Sequence, residues 1–471
     1  MSEPKGPSGC RIVLTLAVVF ALLVMSASGA IWYFFFREQP QPDEVAVPIV
    51  AETPVPPTTQ AAPVDDETST AVATPQPDGN AINRIVYVND DGQLMTVAPT
   101  GDDPRQLTDG RLRFQFPAWS PDGRSLAVIG VSRGSAAVFV LEDLPEAAAL
   151  PDPLYEDGDQ GPFYLYWSPD SRQVSFLASH PDGMALHVAQ ADGSAESRLL
   201  TTGGPLYWQW RSDSQQLFIH SGFSGEESRL ELMSPDGKGV EDAIASPGFF
   251  QVPGISADGR YLAYAEEMTG NSNLVIVDTQ SDAELSERHA GLVALAWSPT
   301  ENHLAFTNGT EPNRASFVGP LRLLDAATGE TRLISSEPII AFFWSPDGRY
   351  LAAFSLLGNG EGDINAQAEP KNDVSKPGLQ RNFPQLRLLV YDVVADEGRW
   401  LFNFTPTLTF ATQFLPFFDQ YALSHRLWSP DSSRLVLPMV ADGRNQIFVI
   451  NIVTGQKLYL ADGQMPFWSP R

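Results

Sequence analysis

The first residues to test for chemistry are the histidines, His180, His187, His220, His289, His303 and His425. A structural or catalytic metal needs such side chains gathered, which a chain usually signals by short, fixed spacings. None of the six stands in an HxH or HExxH arrangement, and the one cysteine, Cys10, precedes an apolar segment. There it can form neither an intramolecular disulfide nor the attachment point of a lipoprotein. The acidic runs "VNDDGQ" (88–93) and "TGDDP" (100–104) carry oxygens suited to calcium, and they also read as plain Asp-Gly turns. "SGFSGEES" (221–228) approaches a nucleophile elbow but lacks its second glycine. These patterns assign no catalytic residue, no metal and no cofactor.

Aromatic residues offer a different chemistry. "TLTFATQFLPFFDQY" (407–421) places Phe410, Phe414, Phe417, Phe418 and Tyr421 in a connection where polar residues are expected. Such a stretch suits a partner-binding surface, since aromatic anchors dominate interface energetics. It also suits a cover over a neighbouring insertion, or a plug.

Elements that would position these residues emerge from a repeat. "WSPDGRSLAVIG" begins at Trp119, "WSPDSRQVSFLAS" at Trp167, "WSPDGRYLAAFS" at Trp344 and "WSPDSSRLVLPM" at Trp428, and the chain ends "WSPR" from Trp468. Weaker copies fall at Trp210 ("WRSDSQQLFI"), Ile255 ("ISADGRYLAY") and Trp297 ("WSPTENHLAF"). In each unit a strand is expected to end at the tryptophan, and a second to begin after the turn. Within the first turn Pro121 presets φ, Asp122 can bond nearby amides, and Gly123 tolerates positive φ. Asp170, Asp347 and Asp431 occupy the position of Asp122 in their own turns. The spacing of about 40–50 residues suits a unit of four short strands. Beyond residue 36 no helical period is sustained, so the domain reads as nearly all strand.

These residues resemble the TolB-type, WD-repeat-like β-propeller family, marked by a "WSPDG"-like turn and a following "LAF"-like strand. The resemblance covers roughly 82–471 and implies an all-β propeller; counting motif strands gives eight blades, or seven if one degenerate unit is not a full sheet. Residues 84–108 supply three strands with no motif strand ahead of them, and 464–470 supply a motif strand with nothing behind it. Together they make one blade, closing the ring and removing exposed edges. The interval from Trp344 to Trp428 is about twice the others and reads as one enlarged blade, with a polar insertion at 359–384. Its tryptophans are expected to pack between neighbouring sheets.

The amino-terminal part reads separately. Residues 12–36 run without a charge, long enough at 1.5 Å per residue to cross a hydrocarbon core of about 30 Å. They read as a signal-anchor helix meeting membrane lipid after a cytoplasmic tail of residues 1–11, with a cleaved signal peptide as the rival reading. Residues 37–81, rich in Pro, Thr and Ala, read as a disordered linker. Net charge bounds the partners: 30 Lys and Arg against 57 Asp and Glu, −27 in all, argues against nucleic acid. The expectation is a single-pass membrane protein of the cell envelope with its propeller outside the cytoplasm. It acts as a non-catalytic scaffold for a protein or small ligand on the face carrying 359–384 and 407–421. The alternative is a propeller enzyme, hydrolase or lyase-like, with its site at one mouth of the channel.

Overall fold

A computed structural model describes residues 83–108, 110–144, 149–222, 228–238, 247–248, 251–268, 271–289, 292–309, 317–357 and 385–471. The tail, the anchor 12–36, the linker 37–81 and the insertion 359–384 lie outside them, as does most of 221–228. Among the described residues no helix is long and apolar enough to cross a membrane.

The described chain is all-β apart from one helical segment at 410–424. The strands lie in antiparallel sheets of consecutive strands, except that the last strand joins the first three described ones. The unit that includes Trp119 shows why. Its strand Arg113–Trp119 pairs with Ser125–Val131, which pairs with Ala136–Glu142, which pairs with the short Tyr155–Asp157. Leu126 to Gly130 is buried throughout, because both faces of the sheet are covered by neighbours; the run is accordingly apolar without alternation. The long strand Thr331–Trp344 serves twice, as the fourth strand of the Trp297 set and the first of the Trp344 set. The Trp344–Trp428 interval holds one set of strands, continuing with Tyr350–Leu356, Leu386–Asp392 and Glu397–Phe404.

The motif turn holds itself together and also grips its neighbour. Ser120 Oγ donates to Asp122 Oδ1 at 2.6 Å, and the Arg124 amide donates to the same oxygen at 3.1 Å. The Ser125 amide donates in turn to Ser120 Oγ. Asp170, Asp258, Asp347 and Asp431 repeat this arrangement. The fourth residue after the tryptophan has positive φ and is either glycine or serine: Gly123 and Gly348, but Ser171, Ser214 and Ser432. The serines bear this conformation where their hydroxyls are used. The Asp122 amide donates to Ser171 Oγ, that of Asp170 to Ser214 Oγ, and that of Asp347 to Ser432 Oγ. Each bond joins one sheet to the next. At Gly348 a Cβ would fall 2.0 Å from Thr300 Oγ1, so only glycine fits. The Trp297 turn, which lacks Asp-Gly, is held differently, by the Thr300 and Glu301 amides on Ser298 Oγ.

The tryptophans form a second link. Trp119, Trp167, Trp210, Trp428 and Trp468 are buried, whereas Trp344 is half-buried. Trp167 Nε1 donates to the Ala118 carbonyl at 2.9 Å, Trp344 to Ala296 and Trp428 to Phe343. In each case the acceptor is the residue just before the motif tryptophan of the preceding unit. Ile255, without an indole, is held by an amide instead: Gln209 Nε2 donates to its carbonyl and its own amide donates to Gln209 Oε1.

The last strand, Gln464–Trp468, pairs with Ile85–Val88, the first of the described residues' strands, with Ile85 opposite Trp468 and Val86 opposite Phe467. Reciprocal bonds extend the pairing: the Arg84 amide donates to Ser469 Oγ and the Ser469 amide to the Arg84 carbonyl. On one side the Trp468 amide donates to Arg426 of the Trp428 unit. On the other, Pro470 lies beside Gly123 in the turn of the Trp119 unit.

Two outcomes test this account. Trp167→Ala should lower unfolding stability in denaturant by about 3–5 kcal/mol, and Trp167→Phe by only about 1 kcal/mol, the part due to the hydrogen bond. Equal costs would mean that the indole N–H has no separate role. Deleting residues 464–471 should strip the pairing from Ile85–Val88 and yield a chain that aggregates at lower temperature; an unchanged monomer would contradict the pairing.

Candidate functional site

The aromatic stretch 407–421 is helical, correcting the expectation that no helix follows residue 36. Phe410–Phe414 forms a π turn, Leu415–Phe417 a 3₁₀ turn, and Phe418–Ser424 an α-helix, here α1. The spacing carried the signal: Phe410, Phe414, Phe418, Tyr421 and His425 recur at intervals of four or three, one face of a helix. Pro416 inside the run and the strand repeat around it mask that period.

Burial corrects a second expectation. Phe410, Phe414, Phe418 and Tyr421 face inward, at 0–5% exposure, and offer no surface; only Phe417, at 43%, stays open. The rings are taken up by first strands of many units. Phe418 meets Phe342 and Phe343, and Phe414 stacks on Phe343 and lies against Phe467. Tyr421 stacks on Phe414 and Phe116 and meets Tyr164 edge-on. Phe116 takes a φ of 50°, and the register of its strand shifts between Gln115 and Ala118, a bulge beside the ring it presents to Tyr421.

Polar side chains complete the packing. Gln420 uses its amide as a peptide group: Nε2 donates to the Trp208 carbonyl at 3.1 Å and Oε1 accepts the Trp208 amide at 3.2 Å. Gln420 Nε2 also donates to the Tyr164 hydroxyl, which lies 2.8 Å from Ser424 Oγ. Ser424 Oγ is 2.7 Å from His425 Nδ1, and His425 Nε2 faces the Phe116 carbonyl. With Nε2 protonated, Nδ1 accepts from the serine. Burial lowers the His425 pKa to about 3, so the ring is neutral. Asp419 is 7% exposed, and burial raises its carboxyl to about 6, against the backbone bonds from Gln420 and Val252.

Ser424 and His425 have the elements of a nucleophile and base, but Phe116, Tyr421 and Phe467 enclose the imidazole. The cavity beside them, lined by Phe116, Phe410, Phe414 and Phe467 among others, measures about 10 Å³, about the least that holds one water. A more open recess of 360 Å³ lies at His303, Asp325, Glu330 and Arg332. Its charges are partly spent, Arg332 pairing with Asp396 and His303 lying 3.8 Å from Asp325.

The remaining histidines stay apart. His187 stacks on Phe176, and His220 sits buried against the Gln251 carbonyl, its pKa lowered to about 4 by that burial. Among the described residues no group of three or more His, Cys, Asp or Glu could hold a metal ion. The acidic runs serve locally: Asn89 accepts the Gln93 amide, and Asp103 pairs with Arg84 and Arg105. Sequence reasoning missed Gln420, Asp419, Tyr164 and Trp208, for no motif joins residues so far apart in the chain.

Asp419 and His425 predict opposite effects of pH. The raised carboxyl pKa of Asp419 means its contribution is complete below about pH 4 and is lost as pH rises through about 6. The lowered imidazole pKa of His425 means its contribution is present above about 6.5 and is lost as pH falls toward about 3. Asp419→Asn should therefore gain in melting temperature relative to the parent between pH 4 and 7. A pH-independent difference would show that the carboxyl is not held protonated.

No protein-family model matches this sequence, and no curated protein does. Solved structures do resemble the described fold. An oligogalacturonate lyase in complex with manganese shares 13% identity with a TM-score of 0.45, covering 75% of this chain and 85% of that one. TolB from Acinetobacter baumannii shares 18% at a TM-score of 0.35, over 54% of this chain and 66% of its own. A prolyl endopeptidase shares 12% at 0.48, over 75% and 50%. With TM-scores below 0.5, these likenesses carry no argument about function.

Proposed function

We propose that residues 82–471 form an eight-bladed β-propeller closed by its last strand, and that it binds a partner without catalysis of its own. It is carried outside the cytoplasm on the linker 37–81 and the anchor 12–36. Eight motif positions and the pairing of Gln464–Trp468 with Ile85–Val88 support the ring. The observation that carries the binding role is the filling of the middle. The segment 407–424 spends its aromatic rings and its Gln420 amide on the first strands, where a substrate would otherwise have to sit.

The same segment leaves Leu408 and Phe417 exposed, at 47% and 43%. They are its apolar residues available to a protein partner, and the insertion 359–384 belongs to the same face in the proposed ring. Leu408→Ser with Phe417→Ser, in a chain whose melting temperature is unchanged, should reduce cross-linked partner recovered from native membranes by at least about fivefold, as for the loss of an interface anchor. Undiminished recovery would reject this face. Turnover of an oligosaccharide or peptide by the purified chain, abolished by His425→Gln, would reject the non-catalytic reading.

A further inference from the structure

Three successive units end their third strand in an aspartate: Asp278, Asp325 and Asp392. In each, Oδ1 turns the chain by accepting the amide two residues on, from Gln280, Ala327 or Val394. In the first and last of the three, an arginine also covers the carboxylate. Arg260 holds Asp278 through Nε and Nη2 at 3.0 and 2.7 Å, and Arg349 holds Asp392 at 3.0 and 2.8 Å. Each guanidinium lies over the tyrosine that follows it, Tyr261 or Tyr350, 5.0 Å from the ring centre. Those tyrosines stand directly across the strand pair from the aspartates.

The middle unit keeps the acid and lacks the cover. His303 stands across from Asp325 in place of the tyrosine, and Asn302 precedes it in place of the arginine. The Asn302 amide turns away and donates to Asp258 at 3.0 Å. His303 Nε2 comes only to 3.8 Å from Asp325 Oδ2, too far for a hydrogen bond. The Asp325 side chain is accordingly 36% exposed, against 9% for Asp278 and 17% for Asp392. The recess of 360 Å³ opens at this point, with Glu330 as a second carboxylate in its lining. Arg332 also lines it but does not fill the place. Its guanidinium is spent on Asp396, the Tyr391 hydroxyl and the Val393 carbonyl of the next unit.

We propose that this recess seats a guanidinium group from outside the fold, carried by a free ligand or by an arginine of a protein partner. The guest takes the place that Arg260 and Arg349 take in the flanking units. Its N–H fork meets the Asp325 carboxylate, its plane lies over the His303 ring, and Glu330 adds to the charge that holds it. A net charge of −27 draws such a cation toward the chain. The seat shares no residue with the partner face at Leu408 and Phe417 and stands independently of it.

The test is equilibrium dialysis of the full chain in detergent, at neutral pH and low salt, against three probes. These are butylguanidinium, butylammonium and the peptide acetyl-Gly-Arg-Gly-amide. Butylguanidinium should be retained more strongly than butylammonium, which has the charge without the fork. Asp325→Asn, which keeps the oxygen that forms the turn, should weaken binding of the guanidinium by at least about threefold, the loss of one partly exposed ion pair. Asn302→Arg should fill the seat from within and abolish binding of both guanidinium probes. A tighter hold on the peptide assigns the guest to a protein partner, and a tighter hold on butylguanidinium assigns it to a free ligand. The proposal is overturned if neither guanidinium probe is retained, if butylammonium binds as well, or if Asp325→Asn or Asn302→Arg leaves guanidinium binding unchanged.

Discussion

The bond on which the other contacts depend runs from the indole N–H of one unit to the peptide carbonyl just before the tryptophan of the unit preceding it. Trp167, Trp344 and Trp428 each make it. A sheet of four short strands cannot bury both faces by itself, so its stability comes from the neighbour it packs against. The indole supplies the area for that packing and a directional bond that sets where the two sheets meet. The turn serines repeat the arrangement one step along the chain, with a hydroxyl taking the Asp amide of the preceding unit. Spacing between units is thereby fixed at two heights.

Where this ladder lapses, other groups substitute. Ile255 has no indole, and Gln209 reaches across to pair with its peptide group in both directions. Gln420 does the same to Trp208 from α1. A glutamine amide has the donor and acceptor of a peptide, so it can satisfy a buried backbone that has no strand beside it. Trp119 and Trp297 show no such replacement: their indole nitrogens are buried without a hydrogen-bond partner among the described residues.

The helical segment follows from the same constraint. First strands leave aromatic and polar groups facing one another, and the run Phe410–Ser424 covers them with matching rings and amides. The buried carboxyl of Asp419 and the neutral imidazole of His425 are tolerated because each keeps backbone or side-chain hydrogen bonds.

Local chemistry made much of this legible in the sequence. The "WSPDG" turn is a self-contained set of bonds over six residues, so its copies mark strand ends wherever they occur, and the terminal "WSP" pointed to a strand in search of a partner. The strand Ser125–Val131 lies where the turn and the apolar run after it put it. The face of each aromatic residue was not legible, because Phe410, Phe414 and Phe418 are buried by Phe342, Phe343 and Phe354, which lie more than fifty residues away. Nor could the sequence by itself join Tyr164, Trp208 and Gln420. Those relations depend on which first strands face one another, and only the tertiary structure brings together residues so distant along the chain.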